Sequence, residues 1–251
     1  MEKEQKYQEL ETVKKTYACR DSKFLSYIKE INMRVMLPYI NRSGQNKQCA
    51  LELGCGGGES TRFLAPLFEH LVVRDGSKEF LEDARAKLSE FDNIEYQYGL
   101  FEEMEEIEKY DIIIANYIFE HVDSVEDILK VCYRALKTGG ILFITVPNAQ
   151  ALSRQLAVKM GILEDVYALT ENDVKHGHKR VFDRKSLQEY GEKSDFHIIG
   201  DGGLYIKEFA DFQLKEMVDK EILGRDHFIG MSKLAEDYPE IAGSIYICLE
   251  K

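Results

Sequence analysis

The chain reads as an α/β protein built on a doubly wound, largely parallel sheet, and three features carry that reading. From Cys49 onward, short apolar runs alternate with helical periodicity, the pattern of parallel strands covered by helices. One run passes directly into a glycine-rich turn and a helix start, Leu51-Glu52-Leu53-Gly54-Cys55-Gly56-Gly57-Gly58-Glu59. An acidic residue, Asp75, ends the next run nineteen residues beyond Gly56, where such a sheet sets a carboxylate beside the glycine turn.

Residues 1–47 form an N-terminal helical segment of two helices. The second carries Phe24, Leu25, Ile28, Ile31 and Val35 at spacings of three and four and is closed by Pro38 and residues 41–44. Residues 48–251 form the main domain. Its strands are expected at 49–53, 71–74, 94–98, 110–115 and 141–146. Ser77 caps one intervening helix. Asp123 or Ser124 caps the next, which buries Val125, Ile128, Leu129, Cys132 and Leu136 and stops at Lys137-Thr138-Gly139-Gly140, a C-terminal glycine signal. Residues 147–181 break the rhythm with a helical piece at 152–160 and a polar stretch at 170–180, and read as a lid insertion after the fifth strand. A helix opened by Asp183, a strand at 196–199 extendable to Ile206, helices over 208–235 and a final strand at 244–249 complete the chain.

Composition excludes several classes of function. In 251 residues, 33 basic side chains stand against 45 acidic ones, a net charge of −12, which repels a polyphosphate backbone and disfavours nucleic acid. The longest apolar stretches fall short of the ~20 residues that span a bilayer. The start, Glu2-Lys3-Glu4, lacks an apolar signal core, so a cytoplasmic location is expected. Five cysteines without a CxxC pair fit free thiols in a reducing compartment.

The glycines allow positive φ and let a ligand approach without a Cβ in the way. A tight turn without a ligand is the plain alternative. Asp75 can accept hydrogen bonds from both hydroxyls of a ribose, or can serve as a turn residue. A nicotinamide dinucleotide would want glycine three residues after Gly56. Glu59 occupies that place, and Glu52 precedes the first glycine. Two carboxylates there favour a ligand bearing an ammonium group over one bearing two phosphates.

These residues resemble the class I S-adenosylmethionine-dependent methyltransferases, over residues 48–148 as motifs and more weakly beyond, in the ubiquinone-type and bacterial small-molecule group. The implied fold is a Rossmann-like seven-stranded sheet whose last strand is antiparallel. The implied cofactor is S-adenosylmethionine. Glu52, Gly54, Cys55, Gly56 and Gly58 resemble the motif that holds its amino-acid end, and Asp75, Gly76 and Ser77 the ribose loop. Leu100, Phe101 and Glu102 stand at the adenine-flanking segment, which here lacks an aspartate after Gly99. Asn116 through the Glu120-His121-Val122 triplet resembles the fourth motif. The run Asn116-Tyr117-Ile118-Phe119 lacks the prolines of nucleic-acid amino-methyltransferases.

A sulfonium is already a good leaving group, so transfer needs the acceptor held in line, and a hydroxyl acceptor also needs its proton removed. His121, after the fourth strand, and His178, in the lid, are the candidate bases; each can equally be a loop-stabilising residue. His176 and Arg180, with Lys179 between the histidines and the arginine, resemble an HGH-plus-basic segment of bacterial relatives. They are assigned with Asn148 to the acceptor, Arg180 pairing an anionic group. No cysteine or carboxylate falls at zinc spacing from His176 and His178, so no metal is expected. Tyr7, Tyr17 and Tyr27 can reach the acceptor or belong to the core.

The leading expectation is O-methylation of a small polar, anionic acceptor such as a sugar, nucleotide-sugar or surface-polysaccharide precursor. The alternatives are N- or C-methylation of another metabolite such as a quinone precursor, a noncatalytic cofactor-binding regulator, and a nicotinamide oxidoreductase. Oligomeric state is open.

Overall fold

The computed structural model of the protein describes residues 2–14, 22–42 and 48–251. Its strands are β1 Cys49–Leu53, β2 His70–Asp75, β3 Ile94–Tyr98, β4 Tyr110–Asn116, β5 Leu136–Pro147, β6 His197–Ile206 and β7 Ala242–Glu250. The helices that precede and cover them are α1 Glu2–Lys14, α2 Lys23–Ile40, α3 Glu59–Leu64, α4 Lys78–Lys87 and α5 Val125–Ala135. Beyond β5 come α6 Leu152–Lys159, α7 Glu171–Lys175, α8 Arg184–Glu192, α9 Asp211–Asp219 and α10 Arg225–Asp237.

The sheet has seven strands in the order β3-β2-β1-β4-β5-β7-β6. β1 to β5 are parallel, and β7 runs antiparallel between β5 and β6. Strand order reverses between β1 and β4, which opens a crevice at their C-terminal ends. Alternation along each strand sorts the core. Leu51, Leu53, Ile113, Ala115, Leu142 and Ile144 face α5 and α8, whereas Ala50, Leu71, Val73, Ile112, Ile114 and Phe143 face α2, α3 and α4. The same alternation places Glu52, Asn116, Thr145 and Ser244 on the α2 side, at or near the crevice.

Ser77 caps α4 by accepting from the Phe80 N–H, and Asp183 caps α8. Ser124, not Asp123, caps α5, which leaves the Asp123 carboxylate for other partners. Two boundaries differ from the sequence reading, and β6 takes the longer extent that reading allowed. Pro38 does not close α2: it lies near the C-terminus, where its missing N–H forfeits a single helical bond, and the helix runs to Ile40 with Asn41 as cap. The Lys137–Gly140 stretch does not end α5, which stops at Ala135. Leu136 already pairs with Tyr110, and Gly139 and Gly140 bond to Lys251 at the end of the chain. β6 is one strand through to Ile206, with register shifts where Gly200 lets the Tyr39 hydroxyl approach.

Residues 147–181 hold α6 and α7, tied together by Arg154. Its guanidinium donates to the Val166 and Ala168 carbonyls and pairs with Asp173. Among the described residues, no helix is long and apolar enough to cross a membrane. Cys49, Cys55, Cys132 and Cys248 are free thiols, while Cys19 and Tyr17 lie outside the described residues.

Candidate active site

The glycine turn leaves β1 with positive φ at Gly54, Gly56 and Gly58. A Cβ on Gly54 would meet Ile118, but one on Gly56 would meet nothing within 4 Å. Gly56 therefore borders open space that a ligand can enter. The Glu59 carboxylate folds back over Gly57 and gives this turn an acidic rim. Asp75 is 8% exposed. Its two oxygens accept from the Cys55 N–H at 3.0 Å and the Ser77 N–H at 2.8 Å, and burial raises its pKa. These bonds draw the ends of β1 and β2 together and still leave lone pairs for a diol.

Glu52 is buried by its position in β1. One oxygen accepts from the Thr61 hydroxyl at 2.6 Å, while Oε1 is buried with no partner. Burial lifts its pKa to about 7, opposed by the Thr61 bond and by Lys29 of α2. Lys29 reaches Ser60 at 3.2 Å. A lone buried carboxylate oxygen with a lysine close by suits an amino-acid zwitterion, the carboxylate taking the ammonium and the lysine the ligand's carboxylate. Lys29 escaped the sequence reading because only the docking of α2 shows which of its polar residues turns inward.

α1 covers the loops after β2 and β3. Leu10 lies over Gly76 and Leu100, Glu11 accepts from the Ser77 hydroxyl and the Lys78 N–H, and the Tyr7 hydroxyl donates to Glu103 and accepts from the Leu100 N–H. Tyr7 thus belongs to the cofactor side, and Tyr27 packs on Phe228 in the core. Phe101 packs beside the Gly54 turn. Glu102 is paired at 2.7 Å with Lys6, which also holds Asp123 at 2.7 Å.

The turn after β4 carries the second half of the site. Tyr117 has φ +58, a left-handed conformation that costs a non-glycine residue and that the surrounding contacts hold. Asn116 accepts from the Thr145 hydroxyl. His121 Nδ1 donates to the Gly177 carbonyl at 3.2 Å, since a carbonyl can only accept, so Nε2 carries the lone pair. The His121 and His178 rings meet edge to face, with centroids 4.8 Å apart. Burial, then the neighbouring His178, lowers the His121 pKa to about 4. Glu120 lies beneath, 1% exposed, with both oxygens unpartnered and a pKa raised by burial to about 7. Glu120, His121 and His178 each offer an atom, all within 4.8 Å of one another. The sequence held Glu120 only as part of a motif, because the convergence depends on the lid folding back onto the turn.

Two acceptor assignments take a different form in the structure. Arg180 donates to the carbonyls of Phe119, Val122 and Asp123, and Lys179 pairs with Asp123. Both hold the catalytic turn, so neither cation is left for an anionic acceptor. The Asn148 amide donates to the Glu240 and Ala242 carbonyls and accepts from the Gln150 N–H, which locks the end of β5. His176 stands 6.5 Å, ring to ring, from His178.

The sheet order and the glycine turn after β1, with Asp75 at the end of β2, are those of a class I S-adenosylmethionine-dependent methyltransferase. The comparisons with known proteins agree: residues 24–200 match the family described as methyltransferase domain, and the chain belongs to it. The mitochondrial ubiquinone biosynthesis O-methyltransferase of Rattus norvegicus is 36% identical over 115 residues, 43% of this chain and 33% of that protein. The ubiquinone biosynthesis O-methyltransferase of Parvibaculum lavamentivorans is 29% identical over 188 residues, 74% of this chain and 70% of that protein. The chain thus spans about a third of the length of the mammalian relative. Among solved structures, phosphoethanolamine N-methyltransferase 2 of Haemonchus contortus in complex with S-adenosylmethionine superposes on 88% of this chain and 52% of its own, with TM-score 0.61 and 17% identity, a likeness of fold. The family and these relatives are methyltransferases.

Proposed function

We propose that the enzyme methylates an oxygen of a small polar acceptor, with His178 as the base. The observation that carries this reading is the buried Glu120-His121-His178 cluster at the crevice. His178 Nδ1 stands 3.4 Å from Asp173 Oδ1, and Glu120 interacts with the same ring. Two carboxylates thus lie beside the ring and fix its orientation. His121, kept neutral by burial, orients the pair. S-adenosylmethionine, held by Glu52, Lys29 and Asp75, would supply the methyl group from a good leaving group, and His178 would take the proton of the acceptor hydroxyl. The ubiquinone-type relatives support an oxygen acceptor. They lend no support to a sugar, and with Arg180 and Lys179 engaged the anionic acceptor loses its basis.

The test is turnover of S-adenosylmethionine with an acceptor panel. His178→Gln should cost roughly 10²–10³ in kcat while S-adenosylhomocysteine binding stays unchanged; full turnover in the variant would discard the base. A second reading rests on the two unpartnered Glu120 oxygens: Glu120, His121 and His178 hold a divalent cation that would polarise the acceptor oxygen. Loss of turnover on chelation, restored by added Mg²⁺ or Zn²⁺, would favour it.

A further inference from the structure

Three places at the crevice bury polar side-chain atoms without a partner. Two have proposed uses above: Glu52 for the cofactor ammonium, and Glu120 with His178 for the acceptor proton. The third is Asn32 on α2, 3% exposed, whose Oδ1 and Nδ2 make no well-formed hydrogen bond and touch only weakly on the Tyr117 hydroxyl. An unmade pair of buried bonds is expensive and calls for an explanation.

Its position supplies one. Asn32 follows Lys29 by three residues, so both lie on one face of α2. Lys29 reaches the amino-acid end of the cofactor site through Ser60, and one turn further on Asn32 comes beside the hydroxyl of the strained Tyr117. That hydroxyl donates to Ser244 Oγ at 3.2 Å, and Tyr205, opposite Ser244 in the sheet, completes a buried polar wall. Asn32 therefore stands between the methionine end of the cofactor and the catalytic turn, where an acceptor must sit. With Lys29 assigned to the cofactor's carboxylate, the remaining charges beside Tyr117 are carboxylates: Glu120 and Asp211 both act on it, and Lys207 is paired to Asp211 at 2.6 Å. An anion is disfavoured there.

We propose that Asn32 is the acceptor-recognition residue, its carbonyl accepting from one hydroxyl of an uncharged vicinal diol and its amino group donating to the neighbouring oxygen. This rests on the methyl-transfer reading above. A primary amide presents a donor and an acceptor side by side, and a vicinal diol offers the complementary pair; an isolated hydroxyl satisfies only half of it. Such a diol comes from an aromatic catechol or from a sugar, and the two are separated by experiment.

The protein saturated with S-adenosylhomocysteine is titrated with catechol, with methyl α-glucopyranoside and with phenol, following the side-chain amide resonance of Asn32 by NMR. Asn32→Leu identifies that resonance and keeps the volume; Asn32→Ala serves if leucine fails to fold. One of the two diols should shift the amide saturably, and its binding should weaken by roughly tenfold or more in the variant. S-adenosylhomocysteine affinity should stay within a small factor, and the free Asn32→Leu protein should melt higher. Diol binding that is indifferent to Asn32, or no binding of either diol, overturns the proposal. Failure of S-adenosylhomocysteine itself to bind would instead strike the methyl-transfer reading.

Discussion

Asp75→Asn tests the cofactor site with a minimal change of shape. The ionised carboxylate offers about four lone-pair positions; the Cys55 and Ser77 amides take two, and the Cys55 thiol at 3.6 Å makes a weak third bond that a ribose hydroxyl can displace. Asparagine keeps one carbonyl oxygen, and its amino group must turn toward one of those amides or toward the ribose. Two charge-assisted bonds, about 1.5–3 kcal/mol each, fall to at most one neutral bond of about 0.5–1.5 kcal/mol. The net loss is roughly 2–4 kcal/mol, some 30- to 1,000-fold in Kd. Free-protein stability should fall less, by about 1 kcal/mol, because the unpaired amide is offset by relief of a buried charge. Isothermal titration with S-adenosylmethionine and S-adenosylhomocysteine reads the affinity, and thermal melts of the free protein read the stability. A folded variant that binds both ligands as tightly as the parent would refute the ribose role of Asp75.

Glu120 and Asp123 give two further tests. With the Glu120 pKa raised by burial to about 7, the folded chain binds more protons than the unfolded chain between about pH 4.5 and 7, so stability falls as pH rises through that window. Glu120→Gln should remove that part of the fall and be more stable above pH 7 by roughly 3 kcal/mol; urea unfolding across the window that gives parallel curves would contradict it. Asp123 pairs with Lys6 of α1 and Lys179 of the lid segment, and both pairs hold its pKa down at about 2. Asp123→Asn should cost under ~1 kcal/mol in stability, since the pairs are exposed, yet speed amide exchange in residues 2–14 and hasten S-adenosylhomocysteine release. Unchanged exchange there would show that α1 is held by Leu10, Tyr7 and Glu11 alone.

Much of the architecture was readable because it rests on local physics. Apolar runs of strand length, a Ser77 or Asp183 before a helix and glycines after β1 act within a few residues, so β1 to β5 and the cofactor turn could be placed from the sequence. Asp75 was legible for the same reason, since a parallel sheet brings the end of β2 beside the end of β1. The Gly139-Gly140 boundary was misread because pairing with Lys251, far along the chain, overrides a local stop signal.

Side-chain partners were decided only by the tertiary structure. Arg180 looked like an anion ligand until the lid brought it against three carbonyls of the β4 turn, and Asn148 looked available until β7 came beside it. Lys29 and Asn32 were silent in the sequence and Glu120 stood there only as part of a motif, because burial is a property of packing. The sequence by itself determined the sheet, the glycine turn and the class of cofactor, which depend on periodicity and backbone conformation. Docking of α2 and folding of residues 147–181 onto the sheet decided which polar groups converge, because the desolvation of Glu120 and Asn32 exists only once those segments are packed.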